Sequence, residues 1–150
     1  MSSDNNFDIR FGLPSDVDLI MSLEKSSLDL PWSRDAVMRL LTSSDNVLLI
    51  SFAAVCPSVG YVGVTGVMDE AEIGNLVVAP DQRGKGAGTA LMEFVIEELR
   101  RRSVSVVFLE VESSNVPAIA LYEKLGFERY GMRDGYYGPG KDALLMRLEL

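Results

Sequence analysis

Residues 73–101 read IGNLVVAPDQRGKGAGTALMEFVIEELRR. An apolar run, IGNLVV, passes through the turn-prone APDQ into RGKGAG, which packs three glycines and two cations into residues 83–88. Ala87, Leu91, Val95 and Leu99 then recur at helical spacing to about Arg102. The order is strand, glycine-rich turn, helix. Such a join leaves the amides of the helix's first turn without partners and aimed at whatever occupies the loop. The macrodipole and the side chains of Arg83 and Lys85 add positive potential, so a pyrophosphate suits the place; these residues alone read equally well as a glycine-rich tight turn that binds nothing. Two familiar nucleotide loops fail here. Gly84, Gly86 and Gly88 give GxGxG with Thr89 where a dinucleotide fingerprint wants its last glycine, and no ribose-binding acid is evident. GYYGPGK (135–141) matches a P-loop until Asp142, whose carboxylate would repel phosphate where a metal-binding hydroxyl belongs, and a strand-like run follows it.

On the N-terminal side, FDIRFG (7–12) reads as a first strand. Pro14 and Ser15 open a helix whose apolar face carries Val17, Ile20, Met21, Leu23 and Leu28. LDLPWS breaks it, and Ser33 is placed to cap a second helix with Val37, Leu40 and Leu41. VLLISFAAV, VGYVGVTGV and IGNLVV follow as a meander, with turns expected at Pro57-Ser58 and Asp69-Glu70. On the C-terminal side SVSVVFLEV is nearly all apolar, as expected of a strand covered on both faces. Asn115 can cap a last helix, with Pro117 in its first turn and Gly126 as its stop. FERYGMR and ALLMRLEL close the chain as two strands around DGYYGPGKD. The order β-α-α-β-β-β-α-β-α-β-β predicts an α/β protein with a mixed, mostly antiparallel sheet of about seven strands and helices on both faces, not a doubly wound sheet. All 150 residues are expected to form one domain.

Composition narrows the chemistry. The chain has no His, which removes Ser-His-Asp catalysis and most zinc chemistry, and no metal is expected. Its single cysteine, Cys56, forms no internal disulfide, reads as a small buried hydrophobe, and lacks a His to activate it as a nucleophile. MSSDNNFDIRF has no apolar core suited to a signal peptide and no run is long enough to span a membrane, so a cytoplasmic protein without membrane partners is expected. A net charge of −8 argues against nucleic-acid binding and favours cationic partners or simple solubility.

NLVVAPDQRGKGAGTALMEFVIEEL resembles motif A of the Gcn5-related N-acetyltransferase (GNAT) superfamily, with the (Q/R)xxGx(G/A) signature on Arg83, Gly86 and Gly88. The resemblance runs on through FLEVESSNVPAIALYEKLGFERYGMR and back to LDLPWS, and is nearest to the RimI-like ribosomal-protein alanine and N-terminal acetyltransferases. It implies the GNAT fold and acetyl-CoA as cosubstrate. Arg83, Gly84, Lys85, Gly86, Ala87, Gly88 and Thr89 would cradle the pyrophosphate, and the backbone of Leu76, Val77 and Val78 would pair with the pantetheine arm. Asn115, by default a helix cap, would also touch the coenzyme.

Acetyl transfer to an amine needs a proton removed from the amine and favours one given to the departing thiolate. An α-amine of pKa about 8 is neutral in roughly one molecule in ten at pH 7, a lysine far more rarely, so an N-terminal acceptor asks less of the enzyme. Glu110 interrupts an apolar strand, where a carboxylate is costly unless used or paired with an Arg. The resemblance makes it the general base, acting through water, with Glu112 the competing candidate. Tyr122 reads on its own as a packed aromatic anchor; the resemblance makes it the general acid, and a phenol near 10 suits a thiolate. Leu30, Pro31 and Trp32 match the loop lining the peptide entrance, and Tyr136 and Tyr137 match a tyrosine pair that closes over the substrate. The expected reaction is direct transfer to a protein N-terminus, such as that of a basic ribosomal protein. A lysine or small-amine acetyltransferase and a non-catalytic coenzyme A sensor stand as alternatives.

Overall fold

The computed structural model describes residues 7–28, 31–53 and 56–150, and for Cys56 and Pro57 the backbone only. The element order is β1 (Asp8–Phe11), α1 (Val17–Ser27), α2 (Arg34–Thr42), β2 (Val47–Ala53), β3 (Cys56–Thr65), β4 (Glu70–Val78), α3 (Ala87–Arg101), β5 (Val106–Glu112), α4 (Val116–Lys124), β6 (Glu128–Arg133) and β7 (Ala143–Glu149). These elements follow the predicted order. The strands form one sheet in the order β1-β2-β3-β4-β5-β7-β6, antiparallel except where β4 meets β5.

Helix ends follow from local chemistry. The Ser33 hydroxyl accepts from the Ala36 amide and the Asn115 side-chain Oδ1 from the Ala118 amide, each satisfying a donor the helix cannot. Gly126, at φ 102, ends α4 in a conformation that penalises any side chain. A short 3-10 turn at Pro14–Asp16 leads into α1. There Asp16 receives both guanidinium nitrogens of Arg10, at 2.8 and 2.9 Å, and the Leu13 amide at 2.7 Å. The hydrogen bonds from Arg10 hold its carboxyl below the usual carboxylate range against the opposing effect of burial.

Two cores flank the sheet. On one face α3 and α4 bury Leu91, Val95, Leu99 and Ile119 against Val62, Val107, Leu109 and Met146. On the other, α1 and α2 bury Ile20, Leu23, Val37 and Leu40 against Leu48, Ile50, Tyr61 and Val77. Helices therefore cover both faces, as predicted. The cover is unequal: α1 and α2 lie over β2, β3 and β4, and no helix lies over β5 on that face.

The expectation of a doubly covered β5 is thus corrected. Only Val107, Leu109 and Val111 are buried; Val106, Phe108, Glu110 and Glu112 are half-buried on the uncovered face. Pro57-Ser58 is likewise not a turn, because β3 begins at Cys56. Pro57 sits at its bulged end, where Cys56 pairs with Ala53 and β4 is not reached until Gly60, so no ladder donor is required of it. The turn expected at Asp69-Glu70 instead occupies residues 66–69, entered through Gly66 at φ 65, and Glu70 starts β4.

The seam between β4 and β5 shapes the site. The two strands pair at Glu70–Val106, Ala71–Val107 and Glu72–Phe108 and then diverge. Beyond Glu72, β4 continues beside β3 as far as Val78, while β5 continues beside β7 to Glu112. A wedge-shaped gap opens in the middle of the sheet.

Candidate functional site

The glycine loop lies at the mouth of that gap. After the 3-10 turn Pro80–Gln82 the backbone reverses through Gly84 at φ 77 and Gly86 at φ 91, left-handed values that a Cβ would strain. A Cβ built at either glycine would meet open space, so conformation and not crowding requires them. Gly86 caps α3, and the first helical bond runs from the Ala90 amide to the Gly86 carbonyl at 3.0 Å. The amides of Ala87, Gly88 and Thr89 precede that bond and begin the helix as donors without a partner among the described residues. Lys85 is exposed. Arg83 is exposed too, but its Nε donates to the Val78 carbonyl at 3.1 Å, which ties the loop to the end of β4. This donor set fits a pyrophosphate in position and sign.

Leu76, Val77 and Val78 form the β4 side of the gap. On the other edge they pair with Val62, Tyr61 and Gly60 of β3, so one backbone edge is satisfied and the other faces the opening. Val77 is core, as predicted for these side chains; Leu76 and Val78 are only half-buried and lie beside Gly88 at the start of α3.

On the uncovered face, β4, β5 and β6 line a groove of about 470 Å³ with Glu70, Glu72, Phe108, Glu110, Tyr130 and Arg133 among its walls. Glu110 is there, but it is not alone. Its Oε2 accepts from Arg133 at 2.9 Å, with the Glu110 side chain 19% exposed and Arg133 56%. The pairing with an Arg that the burial argument weighed against catalysis is present, and it coexists with an open groove. Arg133 also lies over the Tyr136 ring, 4.5 Å from its centroid. Glu112 faces the same side and accepts from the Ser114 hydroxyl at 2.6 Å, but only Glu110 of the two lines the groove.

Tyr122 has the packing of an anchor and one feature an anchor does not need. The residue is 7% exposed and its ring meets Phe127 edge-on at 5.8 Å. Its hydroxyl makes no hydrogen bond among the described residues, yet no buried side-chain oxygen lacks a partner, so that oxygen is not sealed off. Burial, helped by Tyr137, pushes the phenol up to about 12. The expected value near 10 is corrected: full transfer to an ordinary thiolate of about 8.5 would be uphill by roughly 5 kcal/mol. Tyr122 is suited to donating a hydrogen bond as charge develops.

The last loop is organised by its own backbone. Gly135 donates to the Asp142 carboxylate at 2.8 Å, Tyr137 to the Lys141 carbonyl and Lys141 to Gly138, while Ser113 after β5 donates to the Asp142 carbonyl. This turn into β7 is why the P-loop match comes to nothing. Tyr136 and Tyr137 stand exposed, rings edge-on at 5.0 Å. Glu110 pushes the Tyr136 phenol up, and burial followed by Glu110 pushes Tyr137 up to about 12. The structure therefore brings Glu110, Tyr136 and Tyr137 together, while Tyr122 lies in the α4 core against Phe127.

Of the predicted entrance loop, Leu30 lies outside the described residues. Pro31 is exposed, and Trp32 packs on Gly74 of β4, where an added Cβ would come within 3.0 Å of the ring. Trp32 lines a second groove that shares Thr65 as a wall with the Glu110 groove. Sequence reasoning missed Arg133, Tyr130, Glu70 and Glu72, which only the sheet order brings beside Glu110. It also missed Glu24, which is fully buried. A signal for Glu24 existed: it stands four residues after Ile20 on the apolar stripe of α1. Among the described residues no group of three or more His, Cys, Asp or Glu could hold a metal ion, and no helix is long and apolar enough to cross a membrane.

Comparison with known proteins agrees with this geometry. The model of the Acetyltransferase (GNAT) family matches residues 22–127. The [ribosomal protein bS18]-alanine N-acetyltransferase of Salmonella typhimurium is 32% identical over 139 residues, covering 91% of this chain and 93% of that one. The crystal structure of the ribosomal-protein-S18-alanine N-acetyltransferase from Escherichia coli superposes with a TM-score of 0.88 at 31% identity, over 95% of this chain and 93% of that chain. The structure of yncA from Salmonella typhimurium with its cofactor acetyl-CoA shares the fold, with a TM-score of 0.80 at 24% identity over 97% and 95% of the chains. The chain belongs to the acetyltransferase (GNAT) family and is an acyltransferase.

Proposed function

We propose that this acyltransferase moves the acetyl group of acetyl-CoA directly to the α-amine of a protein N-terminus, with an alanine-first ribosomal protein as the favoured acceptor. The observation that carries the reading is the gap between β4 and β5, which has the amide-rich end of α3 at its mouth and the Glu110 groove on the uncovered face. Two reactants approaching from opposite faces can meet there. In this reading Ala87, Gly88, Thr89 and the flanking cations hold pyrophosphate, and the free edge of Leu76, Val77 and Val78 orients the pantetheine arm. Asn115, exposed at the start of α4, adds a contact while it caps the helix.

Glu110 takes the ammonium proton through water, and the neutral amine attacks the thioester carbonyl; as the C–S bond breaks, the second proton of the nitrogen passes through water to the departing sulfur, and coenzyme A leaves as the free thiol. Tyr122 donates a hydrogen bond to the sulfur as it departs, and its raised phenol stays protonated throughout the physiological range. Three carboxylates against one guanidinium in the groove favour a cationic acceptor. A ribosomal acceptor is supported by the names of the full-length relatives and would put the reaction in the cytoplasm.

Free-thiol release from acetyl-CoA tests the reading, with peptides bearing free or blocked N-termini beside lysine and small-amine controls. Turnover confined to free N-termini is expected. Turnover indifferent to blocking would transfer the acceptor to lysine or small amines. Glu110→Gln should cut kcat by about 10² to 10⁴ while acetyl-CoA binding stays at wild-type strength; wild-type kcat in that variant would refute the assigned base.

A further inference from the structure

Glu24 has no part in the chemistry above, yet it is the only glutamate buried completely among the described residues. It lies on the α1 stripe between Ile20 and the sheet, where an apolar side chain would pack without desolvating a charge. No cation contacts it among the described residues. Three donors from three different elements converge on it instead. The Trp32 amide, just ahead of α2, donates to Oε1 at 2.6 Å. Asn75 of β4 donates through Nδ2 to Oε2 at 3.2 Å, and the hydroxyl of Tyr61 on β3 donates to the same oxygen. Asn75 Nδ2 also lies 3.3 Å from that hydroxyl. A carboxylate is acceptor-only and can take all three; an amide or hydroxyl in its place cannot.

The consequence is positional. The Trp32 end of the α1–α2 connection is pinned twice, by its amide on Glu24 and by its ring on Gly74. Gly74 belongs to β4, and Glu24, on α1, is held to the next β4 residue by Asn75, in the segment that continues as Leu76, Val77 and Val78 along the gap. The groove that Trp32 lines shares Thr65 as a wall with the Glu110 groove. The geometry points to Glu24 as a positioning residue for the acceptor, fixing the Trp32 wall of the acceptor groove to the strand that borders the gap. This inference rests on the N-terminal-acceptor reading above. Its occupant is the extended first residues of that acceptor, which must pass the Trp32 wall to bring an amine to Glu110.

Trp32 is the only tryptophan in the chain, so its fluorescence reports on this loop alone. Wild type, Glu24→Gln and Glu24→Ala are compared by acrylamide quenching, by far-UV circular dichroism, and by kinetics with an alanine-first, arginine-containing peptide. Gln keeps the shape but can accept from at most two of the three donors. In Glu24→Gln the quenching constant should rise about twofold and the peptide KM about tenfold, the weight of one charge-assisted bond. Circular dichroism, kcat and the acetyl-CoA KM should hold to within about twofold. If Glu24→Ala does not fold, Glu24→Gln alone decides. Wild-type quenching and peptide KM in that variant would overturn the inference. So would equal loss of both KM values and of ellipticity, the mark of a merely structural carboxylate. Should wild type ignore free N-termini and acetylate a lysine peptide, the N-terminal reading falls, and the KM ratio for the lysine peptide judges Glu24 by the same criterion.

Discussion

Tyr122→Phe separates the two roles this residue could have, because the exchange keeps the ring and removes only the hydroxyl. The edge-on contact with Phe127 survives, so stability near pH 8 should hardly change. At high pH the two proteins must part. The folded phenol titrates at about 12 against an unfolded value near 10. A group whose pKa is raised by folding stabilises fully below its unfolded pKa and loses that contribution as pH climbs through the folded one. At pH 11 the unfolded phenol is about ten times more ionised on the binding-polynomial scale, about 1.4 kcal/mol, and the full two units approach about 2.7 kcal/mol by pH 12 and above. Urea unfolding at pH 8 and pH 11 measures it: wild type should lose about 1.4 kcal/mol more than Tyr122→Phe over that interval, every other tyrosine being common to both. The same variant should lose about 10² to 10⁴ in kcat with acetyl-CoA affinity unchanged, if the hydroxyl serves the leaving sulfur. Parallel pH responses would refute the burial argument, and wild-type kcat would reduce Tyr122 to packing.

Gly86→Ala places a side chain at φ 91; it should cost about 1–2 kcal/mol in chemical denaturation, and calorimetry should show coenzyme A binding weakened at least tenfold. Asp16→Asn removes a carboxylate whose pKa is held down chiefly by Arg10. Its contribution is present above the unfolded value near 3.9 and disappears as pH falls through the folded one. The stability gap between wild type and Asp16→Asn at pH 7 should therefore narrow below about pH 4, as acid titrations followed by circular dichroism can show.

The fold was legible because each element announces itself locally. Ser33 and Asn115 cap, Gly126 stops, and the α3 stripe keeps a four-residue spacing that no strand could use. The cradle was legible for the same reason, since left-handed glycines ahead of a helix are a local matter. Burial across the sheet was not local. Phe108 and Glu110 look like the continuation of a core strand, and only the placing of α1 and α2 over β2 to β4 leaves them facing an open groove. Arg133 lies 23 positions from Glu110 and meets it only because β7 inserts between β5 and β6. The phenol of Tyr122 moved because its neighbours are apolar, which the letters ALYEKLGF do not state. Glu24 could have been seen as a carboxylate on an apolar stripe, but its three donors come from positions 8, 37 and 51 residues away.

The three residue pairs that join β4 to β5 also bear on how the molecule is assembled. The strands β1 to β4 pair in chain order and β5 to β7 close around α4, so within the sheet one group of strands is tied to the other by the β4–β5 pairs alone. Joining them requires the whole of α3 to cross over first, and loop closure of that length brings only three pairs in return. The seam is the shortest run of pairing between neighbouring strands of the sheet. Glu110 and the glycine loop stand on opposite sides of it, so a chain that has folded both halves but not the seam would have its secondary structure without bringing these two together.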